Sequence, residues 1–178
     1  MPADSKTKKT ILTLNNNKKN GKPTVLVTAY DYPQARIADM ADVDCILIGD
    51  SLGMTTLGQK TTIPVTMDDM IRSSEAVCRG SNNAFVIGDM PYMSYQPSNQ
   101  IAVENAGRFI VAGCDMVKVE GAMTERIKAI CDSGIMVMSH LGLTPHTRAK
   151  LGGYKVQGKT AKQAEIVLKQ ALALQDAG

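Results

Sequence analysis

The sequence predicts an α/β fold built on a parallel sheet, and three observations lead there. Strand-like and helix-like segments alternate from Lys22 onward. The strand-like segments are continuous apolar runs, the pattern of strands buried on both faces. Polar residues able to do chemistry recur where those runs end. Residues 24–30 read as the first strand, and a helix is expected over 32–41, with Pro33 suited to its first turn. Residues 45–50 are the second strand. Thr66 is placed as the N-cap of a helix reaching about Arg79, with Asp69 completing a capping box. Residues 84–89 form the third strand, and a helix over 98–112 follows, ended by Gly113. Residues 116–120 are the fourth strand. A short helix over 124–132 is closed by Ser133-Gly134, residues 135–140 make the fifth strand, and 160–177 the last helix.

Two architectures accommodate this succession: an open doubly wound sheet and a (β/α)8 barrel. Both put their sites at the carboxyl ends of the strands. Polar residues at the ends of the second to fifth strands favour the barrel, where many strand ends converge on one axis. A complete barrel typically needs about 250 residues, and this chain has 178. No second domain is visible. The division read from the sequence is a lysine-rich leader over 1–22 and a partial barrel over 23–178.

Composition is that of a globular protein, with 44% hydrophobic and 21% charged residues. The net charge of +3 owes much to Lys6, Lys8, Lys9, Lys18, Lys19 and Lys22. This leader carries no arginine or aromatic residue to read or stack on bases. A solvated tail is therefore expected in preference to a nucleic-acid arm or a mitochondrial transit peptide. Cys45, Cys78, Cys114 and Cys131 form no C-x-x-C pair and read as thiols of a reducing compartment. No apolar run approaches the roughly 18 residues of a membrane span. A cytoplasmic location is expected, with an organelle as the alternative.

The chemistry concentrates in three similar segments. Apolar runs lead into Gly49-Asp50-Ser51, into Gly88-Asp89-Met90-Pro91 and into Lys118-Val119-Glu120-Gly121. Carboxylates are costly to bury alone, so three beside apolar strands point to a shared cation. A set of hard oxygen ligands without cysteine or histidine favours Mg²⁺ over Zn²⁺. The competing reading of each is a strand-end turn or helix cap. Ser51 would face the same mouth. Lys118 and Glu120, two apart on a strand, share one face. The lysine either meets a substrate anion there or snorkels to solvent. His140, ending the fifth strand, either hydrogen-bonds substrate or satisfies local backbone, and His146 lies farther out in the loop. Residues 153–160 match G-x-x-x-x-G-K-[ST] letter for letter, but a P-loop springs directly from a strand. A glycine-rich loop over the mouth is expected there instead.

Taken in order, several stretches resemble the ketopantoate hydroxymethyltransferase family. They are Thr28-Ala29-Tyr30-Asp31-Tyr32, Gly49-Asp50-Ser51-Leu52-Gly53-Met54, Thr62-Ile63-Pro64-Val65-Thr66 and Gly88-Asp89-Met90-Pro91. Further on come Met116-Val117-Lys118-Val119-Glu120-Gly121, His140-Leu141-Gly142-Leu143-Thr144-Pro145 and Gly152-Gly153-Tyr154-Lys155-Val156-Gln157-Gly158. The resemblance implies a (β/α)8 TIM barrel of the phosphoenolpyruvate/pyruvate-binding type, of which about five βα units are present. It implies Mg²⁺-dependent transfer of a hydroxymethyl group from 5,10-methylenetetrahydrofolate to 3-methyl-2-oxobutanoate. It places Asp50, Asp89 and Glu120 around the Mg²⁺, and Asp50, Ser51, Asp89 and Lys118 against the oxo acid. It puts the general base on a glutamate beyond residue 178, so no catalytic base is assigned here and the chain is expected to be a fragment or truncation. It also implies a large homo-oligomer, often a decamer in the family; from the composition, neither nucleic acid nor membrane is expected as partner. The alternatives are a Mg²⁺ and oxo-acid binding protein without activity, and a related 2-oxo-acid lyase or mutase barrel.

Overall fold

The computed structural model describes residues 7–178. Its elements run α1 (Ile11–Lys19), β1 (Leu26–Thr28), α2 (Tyr32–Met40), β2 (Cys45–Ile48), α3 (Leu52–Thr55), α4 (Met67–Gly80) and β3 (Phe85–Asp89). They continue with α5 (Asn99–Val111), β4 (Met116–Glu120), α6 (Thr124–Asp132), β5 (Val137–His140), a 3-10 turn (Pro145–Thr147), α7 (Arg148–Leu151) and α8 (Ala161–Asp176). The five strands form one parallel sheet in the order β1-β2-β3-β4-β5. A doubly wound sheet reverses its strand order at a switch point, whereas a barrel wall adds strands in sequence. The sheet is therefore five consecutive staves of a barrel. No strand among the described residues pairs with the outer edge of β5.

The predicted elements recur, most of them shorter by one to four residues. Thr66 caps α4 through a box with Asp69, and Ser98 and Thr160 cap α5 and α8. The first strand shrinks to three residues; at its start the Val25 N–H goes sideways to the Asp44 carboxylate at 2.9 Å.

Strand alternation splits the apolar runs into two clusters. Ile46, Ile48, Val86, Val117 and Val119 join the core under the helices, with Phe109 and Ala106 of α5. Cys45, Phe85, Ile87 and Met116 form a smaller cluster on the other face of the sheet. The same alternation carries Asp89, Lys118 and Glu120 onto that second face, toward the barrel axis. Gly88 points the opposite way. A Cβ there would stand 2.3 Å from the Phe109 ring, so the glycine before Asp89 lets α5 close on the sheet.

The expected solvated leader is corrected. Lys6 lies outside the described residues, but α1 is folded, and its Ile11 and Leu14 pack against the axial cluster. This plugs the end of the barrel where the strands begin. Lys8 Nζ binds the Ala84 carbonyl at 2.7 Å and the Asp115 carboxylate at 2.8 Å. Lys9 Nζ reaches the Val43 carbonyl at 2.7 Å and Asp42 Oδ1 at 2.9 Å. Two apolar contacts and two anchored lysines outweigh the polar composition from which a tail was expected. Among the described residues, no helix is long and apolar enough to cross a membrane.

Candidate active site

Parallel register sets the site. Asp89 pairs with Lys118 across β3 and β4, and Glu120 with His140 across β4 and β5. Adjacent strand ends therefore deliver adjacent functional groups. Lys118 Nζ lies 2.7 Å from both oxygens of Asp89, which decides against the snorkelling alternative. Asp50 sits two residues past β2, and its backbone N–H donates to Asp89 Oδ2 at 3.2 Å. A Cβ on Gly49 would stand 2.7 Å from Ser51 Oγ, so glycine permits this tight turn from strand to α3. Ser51 Oγ lies 2.9 Å from the Tyr30 hydroxyl at the end of the first strand segment.

The structure adds three residues that the sequence did not single out as central: Tyr30, Tyr95 and His146. His146, on the 3-10 turn, places Nε2 2.8 Å from Asp50 Oδ2 and donates its backbone N–H to Glu120 Oε1 at 2.8 Å. Its Nδ1 is 3.2 Å from the hydroxyl of Tyr95. That hydroxyl also donates to the Glu120 carbonyl and accepts the Glu120 N–H, each at 3.1 Å. With the Tyr95 proton on the carbonyl, Nδ1 is left to donate, which fits a doubly protonated ring. Tyr30 ends an apolar run as the acids do, so that signal could have found it. No local signal marks His146, which meets Asp50 from 96 residues away.

Charge states follow from these contacts. Burial pushes Asp89 up to about 6; Lys118 opposes the rise and the Asp50 charge adds to it. Burial also works against ionisation of Asp50, but its hydrogen bond and attraction to His146 prevail and hold it below the usual carboxylate range. Burial raises Glu120, with His146 and Lys118 opposing. Burial disfavours the His146 cation, yet Asp50 and Glu120 outweigh it and raise the group. His140 is lowered by burial and by Lys118. Its Nδ1 stands 3.7 Å from Glu120 Oε2, beyond hydrogen-bond length, and has no partner.

The acids therefore meet two protein cations at the mouth. Among the described residues, no three Asp, Glu, His or Cys side chains converge closely enough to hold one ion. The three-carboxylate metal cage expected from the sequence is thus not preformed: Lys118 sits on Asp89, and His146 on Asp50 and Glu120. The donor chemistry still fits Mg²⁺. Asp50, Asp89 and Glu120 offer oxygen only, Asp89 is underneutralised, and the orphaned His140 nitrogen borders the same space.

A lysine, a seryl hydroxyl and three carboxylates at the carboxyl ends of parallel strands define a barrel protein with a densely charged mouth. The chain belongs to the ketopantoate hydroxymethyltransferase family, whose profile matches residues 8–178. It is 50% identical over 164 residues to the 3-methyl-2-oxobutanoate hydroxymethyltransferase of Heliobacterium modesticaldum, covering 90% of this chain and 59% of the relative. It is 50% identical over 170 residues to that of Thermoanaerobacter sp., covering 94% and 62%. The chain thus spans about three fifths of these relatives' length. Among solved structures, a phosphonopyruvate hydrolase complexed with oxalate and Mg²⁺ superposes with a TM-score of 0.70 at 11% identity, covering 93% of this chain and 59% of that one. At that identity the likeness shows the barrel fold alone.

Proposed function

We propose that this chain forms the Mg²⁺ and 2-oxo-acid part of a site that transfers a hydroxymethyl group from 5,10-methylenetetrahydrofolate to 3-methyl-2-oxobutanoate, giving 2-dehydropantoate for pantothenate and coenzyme A synthesis. One observation carries the reading: the Lys118 ammonium lies on the axial face at 2.7 Å from Asp89, with Asp50 and Ser51 at the neighbouring strand end. A lysine on the inner face of a barrel needs an anion, and with both Asp89 oxygens engaged Lys118 keeps one donor to spare. The substrate carboxylate would accept from Lys118 and from the Ser51 hydroxyl, which Tyr30 orients. Asp50 and Asp89 would hold Mg²⁺, with Glu120 behind them. When bound, the ion would draw electron density from the keto oxygen and ease loss of the C3 proton.

The remaining side chains orient the substrate. Lys118 would fix the acid end and Ser51 its rotation, and the buried His140 Nδ1, without a hydrogen-bond partner, would accept from or donate to a substrate oxygen once the site opens. Proton abstraction needs a base within hydrogen-bond reach of C3. None of the three acids is given that role, since Asp89 is engaged by Lys118, and Asp50 and Glu120 by His146. In the net transfer, C3 of the oxo acid would gain the one-carbon unit of the folate, water would supply its hydroxyl oxygen, and the carbon–nitrogen bonds to the folate would break, releasing tetrahydrofolate.

Calorimetric titration with 3-methyl-2-oxobutanoate, with and without Mg²⁺, tests the reading. Mg²⁺-dependent binding is expected, and Asp50→Ala should weaken it at least about tenfold, the loss of one charged contact. Unchanged binding in that variant would overturn the metal assignment. Exchange of tritium at C3 by this chain would show that the base lies within it.

A further inference from the structure

We infer that His146 is a latch over this site, and that a divalent cation reaches Asp50 and Glu120 only after the imidazole has left them. The inference rests on the functional reading above. The side chains of Asp50, Asp89, Glu120 and Lys118 are 10%, 3%, 4% and 14% exposed. A site meant for a charged acid is therefore shut in this conformation. A cavity of about 300 Å³ does lie beside the mouth, lined by Gly121, Leu141, Thr144 and Thr147 among others, but not by the acids or Lys118.

The cover is the segment after β5, and His146 is its point of attachment. Its side chain is 3% exposed. One residue supplies the Nε2 contact to Asp50, the backbone N–H to Glu120 and the Nδ1 contact to Tyr95. Its ring also meets Tyr92 edge-on, with centroids 5.7 Å apart. The backbone bonds of the rest of the segment are local, among them Thr147 N–H to Thr144, Gly152 N–H to Ala149 and Gly153 N–H to Arg148. Glycines in the left-handed region bracket it, Gly142 at φ 91° and Gly152 and Gly153 at 69° and 107°. Such positions absorb backbone rotation at little cost, as hinges require. A strap fastened at one residue between two glycine hinges opens when that residue lets go. The cation and the imidazole contend for the same oxygen, Asp50 Oδ2, so one must displace the other.

The probe is Mn²⁺ alone, its binding read from loss of the free-ion paramagnetic resonance signal. Affinity removed by a closed state returns when that state is abolished. His146→Ala should bind Mn²⁺ about tenfold more tightly than the wild type, and His146→Gln should fall between them. Trypsin cleavage after Arg148 and Lys150 gives a second readout. Mn²⁺ should accelerate it in the wild type, and it should be fast without Mn²⁺ in His146→Ala, with the circular dichroism of all three chains alike. Weaker binding by His146→Ala would make the residue a ligand and overturn the latch. Measurable binding with unchanged affinity and cleavage would overturn the latch and leave the cation reading standing. Binding by neither chain would overturn both.

Discussion

The two ends of the barrel treat a buried aspartate in opposite ways. Asp39 lies at the floor, 4% exposed, and accepts from Asn83 N–H at 2.8 Å, Ala84 N–H at 2.9 Å, Asn83 Nδ2 at 3.0 Å and the Ser81 hydroxyl at 3.2 Å. Asp89 lies at the mouth, 2% exposed, and accepts from one lysine and one backbone N–H. Burial works against ionisation of Asp39, but its donors outweigh that and keep the carboxyl below its usual value. Burial prevails at Asp89 and pushes it up to about 6. The difference lies in what surrounds the charge. The floor surrounds its carboxylate with fixed dipoles and leaves nothing over for a ligand. The mouth leaves its carboxylate short of partners, and a shortfall of that kind marks a binding site.

The largest expected effect comes from breaking the floor. Asp39→Ala would strand four donors at once, and about 4 kcal/mol of stability should be lost. Urea unfolding followed by circular dichroism measures it. Oxo-acid affinity per folded molecule should stay unchanged, because Asp39 touches nothing at the mouth.

Acid titration separates the ends by sign. The depressed carboxyl of Asp39 stabilises the fold above the unfolded value of 3.8, and this contribution is lost as pH falls through its lower folded value. The raised carboxyl of Asp89 acts oppositely. Between 3.8 and about 6 the folded state binds the extra proton, so this group's contribution falls as pH rises through that window. Plotted against pH, the urea midpoint of Asp89→Asn should lack the limb between pH 4 and 6, while Asp39→Ala should lack the steep loss below it. A limb between pH 4 and 6 that survives in Asp89→Asn would assign it to another group.

Lys118→Met sharpens the mouth. Removing the ammonium should push the Asp89 carboxyl further up and weaken oxo-acid binding by about 30-fold, roughly 2 kcal/mol for a charge-assisted contact. Carbon-13 carboxyl titration and calorimetry measure the two effects. Loss of binding without movement of Asp89 would separate the lysine's two jobs.

How much of this was legible in the sequence follows from the range of each interaction. Capping at Thr66 and the apolar strands are local, and both were read directly. The alternation that puts Asp89, Lys118 and Glu120 on one face is also local, since it needs only period two. The latch was not legible: His146 meets Asp50 and Glu120 through a loop whose path is set by tertiary contacts, 96 and 26 residues from its partners. The folded leader was missed for a related reason. Ile11 and Leu14 are too few to signal an amphipathic helix, and only the axial cluster of the barrel gives them a surface to cover.

That leader supplies the smallest expected effect and the closest test of the comparison. Lys8 pairs with Asp115 at the floor as Lys118 pairs with Asp89 at the mouth, at 2.8 and 2.7 Å. Distance alone would rank them equal. Exposure separates them: 37% and 27% for the floor pair against 14% and 3% for the mouth pair. Water screens the first and scarcely reaches the second, so Lys8→Met should cost under about 1 kcal/mol. Asp115 also accepts the Val86 N–H at 2.7 Å, so it keeps a partner when the lysine goes. Thermal unfolding in low and high salt measures the difference. The Lys8→Met effect should shrink with added salt, as a screened surface pair does, whereas that of Lys118→Met should hardly change. Equal salt sensitivity would mean that the mouth is open to solvent, and the contrast between the two ends would fail.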